Sequence, residues 1–301
     1  MISLTAHTGL FRIFGYSIQT WGTVVALGIA IALLFLFKRA KQKKMLEQSQ
    51  ILVAYILVLG IICARIAYIL VNPSEFSDFF QIFEIWKGGL ISWGVFIGGF
   101  LGIIAFKIFN KIKSAELKKL LDLMAPYLIL AVAIGRVGCF LRGCCFGIPT
   151  TLPWGLVYSG NDLLPSSYIG KPLHPTELYH SILDFIIFFI LLKVNNKKDF
   201  LEKTKKQSKF EFFRKKGGTF LLFILLYSLE RFFVDFLRFH PANEYIGAIS
   251  ITQLVFVFMI FISLFMLLRR KKAEKLKLSS MHIGKASGTT RADALRGKNK
   301  A

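Results

Sequence analysis

Seven apolar stretches recur along the chain, separated by polar segments, and most are long enough to cross the hydrocarbon core of a bilayer. A membrane-spanning helix needs about 20 consecutive, mostly apolar residues. The fifth stretch is short, and we expect it to begin earlier, near the polar segment PLHPTELYH. The pattern predicts an all-α integral membrane protein with seven transmembrane helices. The stretches are residues 17–37, 51–71, 89–109, 120–141, 178–192, 218–237 and 249–268.

The polar segments alternate in charge, and this alternation predicts the orientation. The segments after the first, third, fifth and seventh stretches are rich in Lys and Arg, whereas residues 72–86 and 239–247 contain neither. An excess of basic residues marks the cytoplasmic side of a membrane protein. We therefore expect the N-terminus outside and the C-terminus in the cytoplasm. Residues 1–278 form a single membrane domain in this interpretation, and residues 279–301 form a basic, disordered cytoplasmic tail.

The composition agrees with a membrane location. Of the 301 residues, 54% are hydrophobic and 19% are charged, whereas a soluble domain is usually about a quarter charged. The net charge of +22 raises nucleic acid as a possible partner. However, the basic residues occur in short runs between apolar stretches, as in loops that face anionic lipid. We therefore expect membrane lipids, and not nucleic acid, as partners.

Three arginines lie inside apolar stretches and are candidate functional residues. A charged side chain in the bilayer is costly unless it is paired or hydrated, which makes Arg65, Arg136 and Arg231 candidates. A helix rises about 1.5 Å per residue, which places all three at about 20–24 Å from the inner face. Guanidinium groups can bind phosphate with two parallel hydrogen bonds, so the pattern indicates a pocket for a lipid phosphate. The structural alternative is that Arg231 pairs with Asp235 or Glu230 and that Arg65 extends to the interface.

Tyr227 is a further candidate, because it precedes Arg231 by four residues and so shares a helix face with it. Asp235 and Arg238 continue this face. It is either a polar seam between helices or the wall of a site.

The segment GRVGCFLRGCCFG, residues 135–147, places Cys139, Cys144 and Cys145 close to Arg136. The spacing is not a standard zinc pattern, and no histidine lies within it. A disulfide between Cys139 and Cys144 is compatible with an external location, and covalent catalysis by Cys144 is a further alternative. We favour a packing role, in which small and weakly polar residues allow the turn to pack closely between glycines.

Four motifs together resemble the prolipoprotein diacylglyceryl transferase family. GRVGCFLRGCCFG is followed by PWGLVY, by HPTELYHSIL and by GTFLLFILLYSLERFFVDFLR, in the order of the family and on the expected stretches. The likeness extends over residues 13–268. It implies seven membrane helices in a bacterial inner membrane, with the N-terminus outside. It also implies transfer of diacylglyceryl from phosphatidylglycerol to the lipobox cysteine thiol of a prolipoprotein, with release of glycerol 1-phosphate and without a metal or organic cofactor.

The resemblance also implies roles for individual residues. Arg136 would bind the phospholipid headgroup, and Arg231 would be a second essential guanidinium with Tyr227 beside it. His174 is the remaining imidazole near the outer face. The substrate-binding candidates are therefore Arg136, Arg65, Gly135, Gly138 and Gly143, and the catalytic candidates are Arg231, Tyr227 and His174.

The sequence departs from the family pattern at several polar positions. Trp93 occupies the place of a histidine in the third stretch, and Trp21 that of a tyrosine in the first. Cys139 replaces an asparagine and Cys144 a glutamate. These departures leave the catalytic base open. They also keep two alternatives open: a diverged paralogue with another acceptor, and a non-catalytic lipid-binding membrane protein.

Overall fold

The computed structural model describes residues 2–5, 9–13, 16–76, 78–84, 88–159, 163–204, 216–241, 245–247 and 249–269. The predicted tail, residues 279–301, lies outside these ranges. The described residues form seven α-helices, and each predicted apolar stretch overlaps one of them. The helices are α1 (Thr20–Gln42), α2 (Leu46–Val71), α3 (Ser92–Phe109), α4 (Ser114–Arg142), α5 (Thr176–Thr204), α6 (Gly218–Asp235) and α7 (Ile251–Arg269).

The helices differ in how apolar they are. Four of them, α1, α2, α4 and α7, are long and apolar enough to cross a membrane, and α3 contributes a shorter apolar segment. Helices α5 and α6 carry buried ionisable side chains within otherwise apolar stretches, among them Asp184 and Arg231. As expected, α5 begins before its apolar stretch, at Thr176. The structure thus supports a helical membrane protein.

Three small sheets were not predicted, so the all-α assignment is incomplete. Strand β1 pairs in parallel with β4, whereas β2–β3 and β5–β6 are antiparallel pairs. The helices were predicted from apolar stretches of about 20 residues. The strands have two to five residues, which is too short for a search at that length to detect. The strands are β1 (Ile2–Thr5), β2 (Gly9–Ile13), β3 (Tyr16–Gln19), β4 (Leu156–Ser159), β5 (Tyr245–Ile246) and β6 (Ile249–Ser250).

Helix α4 is central and packs against α1, α5 and α6. One face of it buries Leu120 and Met124 in a cluster with residues of α1, α2 and α3. The opposite face buries Ala125 and Ile129 against α5, α6 and Phe256 of α7. Because α4 is buried on both sides, Arg136 near its end lies close to the helices that carry the other polar residues.

Helices α2 and α3 approach closely because of glycines at intervals of four residues. A Cβ atom on Gly94 would lie 2.6 Å from Ala64 Cα, and one on Gly98 would lie 2.1 Å from Leu59 O. Such small-residue interfaces allow membrane helices to pack backbone against backbone. The glycine pattern therefore makes α2 and α3 a tightly packed pair.

Asp122 joins α4, α5 and α6 at one end of the bundle. Its carboxylate accepts hydrogen bonds from the backbone N–H groups of Gly217 (2.6 Å) and Phe220 (2.9 Å). It thereby caps the start of α6, whose first N–H groups have no partner within the helix. Asn195 of α5 donates to the Asp122 carbonyl (2.9 Å) and accepts from Thr219 (2.8 Å). We call the opposite end of the bundle, where α4 and α6 finish and α5 and α7 begin, the site end.

Candidate functional site

Buried ionisable side chains from α5 and α6 meet on the side of α4 that leads to the site end. On α5, Glu177, His180 and Asp184 follow one another at intervals of three and four residues, so they share one helix face. On α6, Tyr227 and Arg231 are four residues apart and both are buried, as the shared face predicted. Charged groups are rarely buried without a partner or a function. These residues form a polar cluster inside the bundle.

Three residues of the cluster form a continuous chain of contacts. The Nδ1 atom of His180 contacts the Glu230 carboxylate, and its Nε2 atom lies 3.0 Å from Arg231 Nη1. A guanidinium can only donate hydrogen bonds, so Nε2 is the acceptor and Nδ1 carries the proton that is donated to Glu230. The guanidinium carbon of Arg231 also lies 5.6 Å from the centroid of the Phe256 ring. Arg231 is therefore held in place by groups from two other helices.

The structural alternative for Arg231, in which it pairs with Asp235, is not observed. Asp235 instead accepts hydrogen bonds from His240 Nε2 (2.9 Å) and Ser250 Oγ (2.5 Å). Glu230 pairs with His180 and not with Arg231. These contacts tie the segment after α6 to the start of α7 and leave Arg231 to the cluster.

Arg136 is held differently from Arg231. It is partly exposed, and among the described residues it has no hydrogen-bond or ion-pair partner. It interacts electrostatically with Tyr227, Cys139, Cys145 and Asp184. As far as the described residues go, its N–H donors are thus not used within the protein.

Asp184 is a buried carboxyl group that interacts with both guanidinium groups. It is fully buried, and neither of its carboxylate oxygens has a hydrogen-bond partner within the described part of the chain. It interacts electrostatically with Arg136 and Arg231. Asp184 therefore acts as their counter-ion, and its unsatisfied oxygens can accept a proton or hydrogen bonds from a bound molecule.

Arg65 has other surroundings, which favour its structural alternative. Its Nε donates to Ile82 O (2.9 Å), its Nη1 to Gly88 O (2.8 Å) and Gly89 O (3.1 Å), and its Nη2 to Gln81 O (2.6 Å). Most of the five N–H donors of the guanidinium are thus used on backbone carbonyls of the segment between α2 and α3. A role of Arg65 in substrate binding stays a prediction.

His174 lies in an anchoring network of the loop between α4 and α5. Its Nδ1 atom is 3.2 Å from Tyr179 Oη, which accepts a hydrogen bond from Trp154 Nε1 (2.7 Å). Its backbone bonds to Gly147 and Ile148. Desolvation lowers the pKa of His174 below its ordinary value, so the ring is neutral at neutral pH.

His180 is the histidine that contacts Arg231, and sequence reasoning did not select it. The available signal was its position three residues after Glu177 and four before Asp184, which places it on the polar face of α5. Trp93, in the place of the family's histidine, is 50% exposed on α3. Its indole is therefore not one of the buried polar groups.

Gly138 and Gly143 of the arginine motif have structural explanations. A Cβ atom on Gly138 would lie 3.1 Å from Val24 Cβ because α1 and α4 pack closely there, whereas one on Gly135 would lie at an ordinary van der Waals distance of 3.6 Å from Val25 Cγ2. Gly143 has a φ of 70° and ends α4 in the left-handed conformation that glycine favours. A direct role of these glycines in headgroup binding stays a prediction.

The three cysteines of the motif converge, although the sequence separates them. Their sulfur atoms all lie within 4.8 Å of one another, and all three thiols are free. Arg238 Nη2 donates to Cys145 Sγ at 3.5 Å. Hydrogen bonds from Cys139 and Cys144 hold the pKa of the Cys145 thiol well below its ordinary value, and the charges of Arg238 and Arg136 add to this.

The polar cluster around Arg136 and Arg231 can now be compared with known proteins. The family model of prolipoprotein diacylglyceryl transferase matches residues 8–269. A phosphatidylglycerol–prolipoprotein diacylglyceryl transferase of Clostridium tetani is 33% identical over 257 residues, which cover 85% of this chain and 94% of that protein. The transferase 2 of Clostridium perfringens is 34% identical, and the match covers 83% of this chain and 90% of that protein. The transferase of Clostridioides difficile is 36% identical, and the match covers 76% of this chain and 82% of that protein. The resemblance seen in the motifs is thereby confirmed: the chain belongs to the prolipoprotein diacylglyceryl transferase family.

Proposed function

We propose that this protein transfers the diacylglyceryl group of phosphatidylglycerol to the lipobox cysteine thiol of prolipoproteins and releases glycerol 1-phosphate. Family membership and the names of its relatives make it a transferase. The observation that carries the proposal is the pair of Arg136, which has no hydrogen-bond or ion-pair partner within the described part of the chain, and Arg231, which His180 holds and which interacts electrostatically with Arg136. The relatives give no support to a lipid-binding protein without catalysis.

The paired guanidiniums suit the charge changes of this reaction. The thiol sulfur forms a bond to the glyceryl carbon while the bond from that carbon to a phosphate oxygen breaks, so negative charge grows on the leaving phosphate. Donors that are fixed before the reaction stabilise such charge without reorganising during it. Arg231 is preorganised by His180 and Phe256. Arg136 can bind the phosphate with two parallel hydrogen bonds.

Asp184 balances the site before the lipid arrives. Two neighbouring guanidiniums without an anion would repel one another, and Arg136 and Arg231 do interact electrostatically. The Asp184 carboxylate reduces this repulsion in the empty site. A phosphodiester then adds the negative charge that the pair still lacks.

The orientation that fits this function has seven spans in the inner membrane, with the site end facing outwards. The side chain of Arg39 near the end of α1 donates to Asn196 of α5 at 2.9 Å, which supports placing the end of α1 opposite the site end. The basic segments then share one end of the bundle, and the segments without Lys or Arg share the other. Phosphatidylglycerol of the outer leaflet and the exported lipobox would reach the site end from the same side.

The test is complementation of bacteria that are depleted of their own diacylglyceryl transferase, together with transfer of labelled diacylglyceryl to a lipobox peptide in membranes. We expect growth and labelled peptide with the unmodified chain. No transfer, in an assay where a histidine-containing family member works, would contradict the proposal and favour the paralogue or the lipid-binding alternative. A peptide with Ser in place of the lipobox Cys is the matched control and should stay unlabelled.

A further inference from the structure

The transfer reaction needs a proton acceptor, because a thiolate and not a thiol is the nucleophile. Trp93 stands where the family pattern has a histidine, and an indole can donate a hydrogen bond but cannot accept a proton. His174 belongs to the loop network between α4 and α5, and His240 pairs with Asp235. His180 uses both of its ring nitrogens on residues of α6. The buried carboxylates of the polar cluster are the other candidates.

The three carboxylates of the cluster differ in what they already contact. Glu177 accepts a hydrogen bond from Tyr158 at 3.2 Å, and Glu230 contacts His180, so each uses one oxygen on a neighbour. Asp184 is fully buried, and both of its oxygens lack a hydrogen-bond partner within the described part of the chain. A buried carboxylate without hydrogen bonds is costly and uncommon in folded proteins. Asp184 is therefore the carboxylate with the most capacity to accept a proton.

The packing of α5 against α4 places Asp184 close to Arg136. Ser181 donates to the carbonyl of Ala133 at 2.9 Å, which fixes α5 beside the last turns of α4, and Asp184 follows Ser181 by three residues on the same face. Helix α4 ends at the site end and α5 begins there. Side chains on a helix lean towards its N-terminus, so Arg136 leans away from the site end and Asp184 leans towards it. Asp184 accordingly interacts electrostatically with Arg136 and with Arg231.

We propose that Asp184 is the catalytic base of the transfer, and that its carboxylate accepts the proton of the acceptor cysteine thiol while the lipid phosphate is bound to Arg136. The inference rests on the proposed function and adds to it the group that generates the nucleophile. A general base has to come within hydrogen-bond reach of the proton that it removes, and it often does so only in the complex with substrate.

Charge balance explains why Asp184 becomes available as a base when the lipid binds. Before that, its carboxylate is the counter-ion of two guanidiniums. The phosphodiester brings a negative charge of its own, which guanidinium groups bind well. The proton of the thiol can then move to Asp184 without leaving the guanidiniums unbalanced. The phosphate and the base are thus used in a fixed order.

The step balances in atoms and electrons. The thiol proton goes to the Asp184 carboxylate, and a sulfur lone pair forms the S–C bond to the glyceryl carbon. The C–O bond to phosphate breaks, and its electron pair leaves on glycerol 1-phosphate. The phosphate of this product then takes the proton from Asp184, which restores the carboxylate. No oxidation or reduction occurs.

The experiment compares two lipobox peptides, one with Cys and one with selenocysteine, as acceptors of labelled diacylglyceryl from phosphatidylglycerol. A selenol loses its proton far more readily than a thiol, so it does not need the base. Asp184→Asn should transfer to the Cys peptide about a hundredfold or more slowly than the unmodified chain, and to the selenocysteine peptide within about tenfold of it. With the Cys peptide, the rate of Asp184→Asn should rise about tenfold per pH unit below the ordinary thiol pKa of about 8.5. With the selenocysteine peptide it should not.

Glu230→Gln is the matched control, because it makes the same change from carboxylate to amide beside His180. It should slow transfer to both peptides by the same factor. Asp184→Glu is the second variant, and since it keeps a carboxylate, its ratio of the two rates should stay close to that of the unmodified chain.

Equal losses with both peptides, or unchanged transfer to the Cys peptide, in Asp184→Asn would overturn the role of Asp184 and leave the proposed function intact. A ratio of rates in Asp184→Glu like that of Asp184→Asn would overturn this role as well. Absence of transfer to either peptide by the unmodified chain would instead contradict the proposed function itself.

Discussion

Arg136 and Arg231 have different neighbours, and this difference suggests that they have different roles in the reaction. Arg231 has His180 and the Phe256 ring as neighbours, so its orientation is set before any ligand binds. Arg136 has no partner among the described residues and is partly exposed. A fixed donor is best suited to charge that appears in the transition state. A donor that is still available is best suited to capture of the lipid headgroup.

Arg136→Lys and Arg231→Lys should each lose most transferase activity while the protein still inserts. Lysine keeps the charge but lacks the planar fork that holds a phosphate at two points. Loss of one charge-assisted hydrogen bond costs about 1.5–3 kcal/mol, which corresponds to a rate about ten- to a hundredfold lower. The measurement is the rate of labelled diacylglyceryl transfer in membranes.

Arg65→Lys is the comparison for these variants. Its guanidinium bonds to backbone carbonyls between α2 and α3, so lysine should lower thermal stability and leave the rate per folded molecule nearly unchanged. Near-normal transfer by both Arg136→Lys and Arg231→Lys would rule out the two-point binding of phosphate.

His180 and Glu230 should act as one unit. Glu230 receives the Nδ1 proton of His180 and thereby leaves Nε2 to accept from Arg231. In a double-mutant cycle on the transfer rate, His180→Ala and Glu230→Gln should therefore be non-additive, with a coupling of about 0.5–3 kcal/mol. Strictly additive effects on the rate would show that Glu230 does not position His180 for Arg231.

At the scale of residues, the sequence predicted the arginines better than their partners. A buried charge is visible in any apolar stretch, so Arg136 and Arg231 could be selected. The rotation of α5 and α6 about their axes determines which polar residues of α5 face α6. This rotation could not be predicted from the sequence. For this reason His180 and Asp184 were missed, whereas His174 was selected from its motif.

At the scale of elements, the contact between α2 and α3 depends on Gly94, Gly98 and Gly102. Gly98 has the tightest surroundings, because a Cβ atom there would meet Leu59 O at 2.1 Å, whereas one on Gly99 would lie 3.8 Å from the Ile56 side chain. Gly98 and Gly99 are thus a matched pair: the same substitution can be made at both, but only at Gly98 would the added Cβ atom clash with α2.

Gly98→Ala should destabilise the folded protein, and Gly99→Ala should not. Overpacking a tight interface typically costs about 1–3 kcal/mol, and α2 cannot yield locally because the clash is with its backbone. The measurement is thermal unfolding of both variants in the same detergent. Equal unfolding temperatures would mean that α2 and α3 are not packed this closely.

Helices were predictable because hydropathy averages over about 20 residues. The same averaging hid the strands, and it assigned Tyr16–Gln19 partly to the first helix although these residues form β3. It also shortened α5, since Glu177 and His180 interrupt its apolar run before the buried residues Ile187 and Leu191. The shortening of α5 thus occurs where polar residues lie in a helix, as expected when a local rule is broken at a candidate functional site.

At the scale of the whole molecule, the polar cluster and the Lys-rich segments of the sequence together predict an orientation. The cluster of arginines, carboxylates and thiols leads to the site end, while the Lys-rich segments follow α1, α3, α5 and α7. Basic segments remain on the cytoplasmic side. Under the proposed function, the enzyme meets a lipobox that has already been exported. We therefore expect lipid and peptide to approach the arginines from the external side.

This orientation can be tested with two reporters in the same chain. A reporter fused after Lys277 should behave as cytoplasmic, because it follows the basic segment behind α7, and one inserted near Asn243 should behave as external, because the segment after α6 has no Lys or Arg between residues 239 and 247. The measurement is the activity of two reporter enzymes at each position, one that is active only inside the cell and one that is active only outside. The opposite pair of results would invert the topology and place the paired arginines in the inner half of the membrane. Two external or two cytoplasmic results would instead contradict an α7 that crosses the bilayer, although its 19 residues are long and apolar enough to do so.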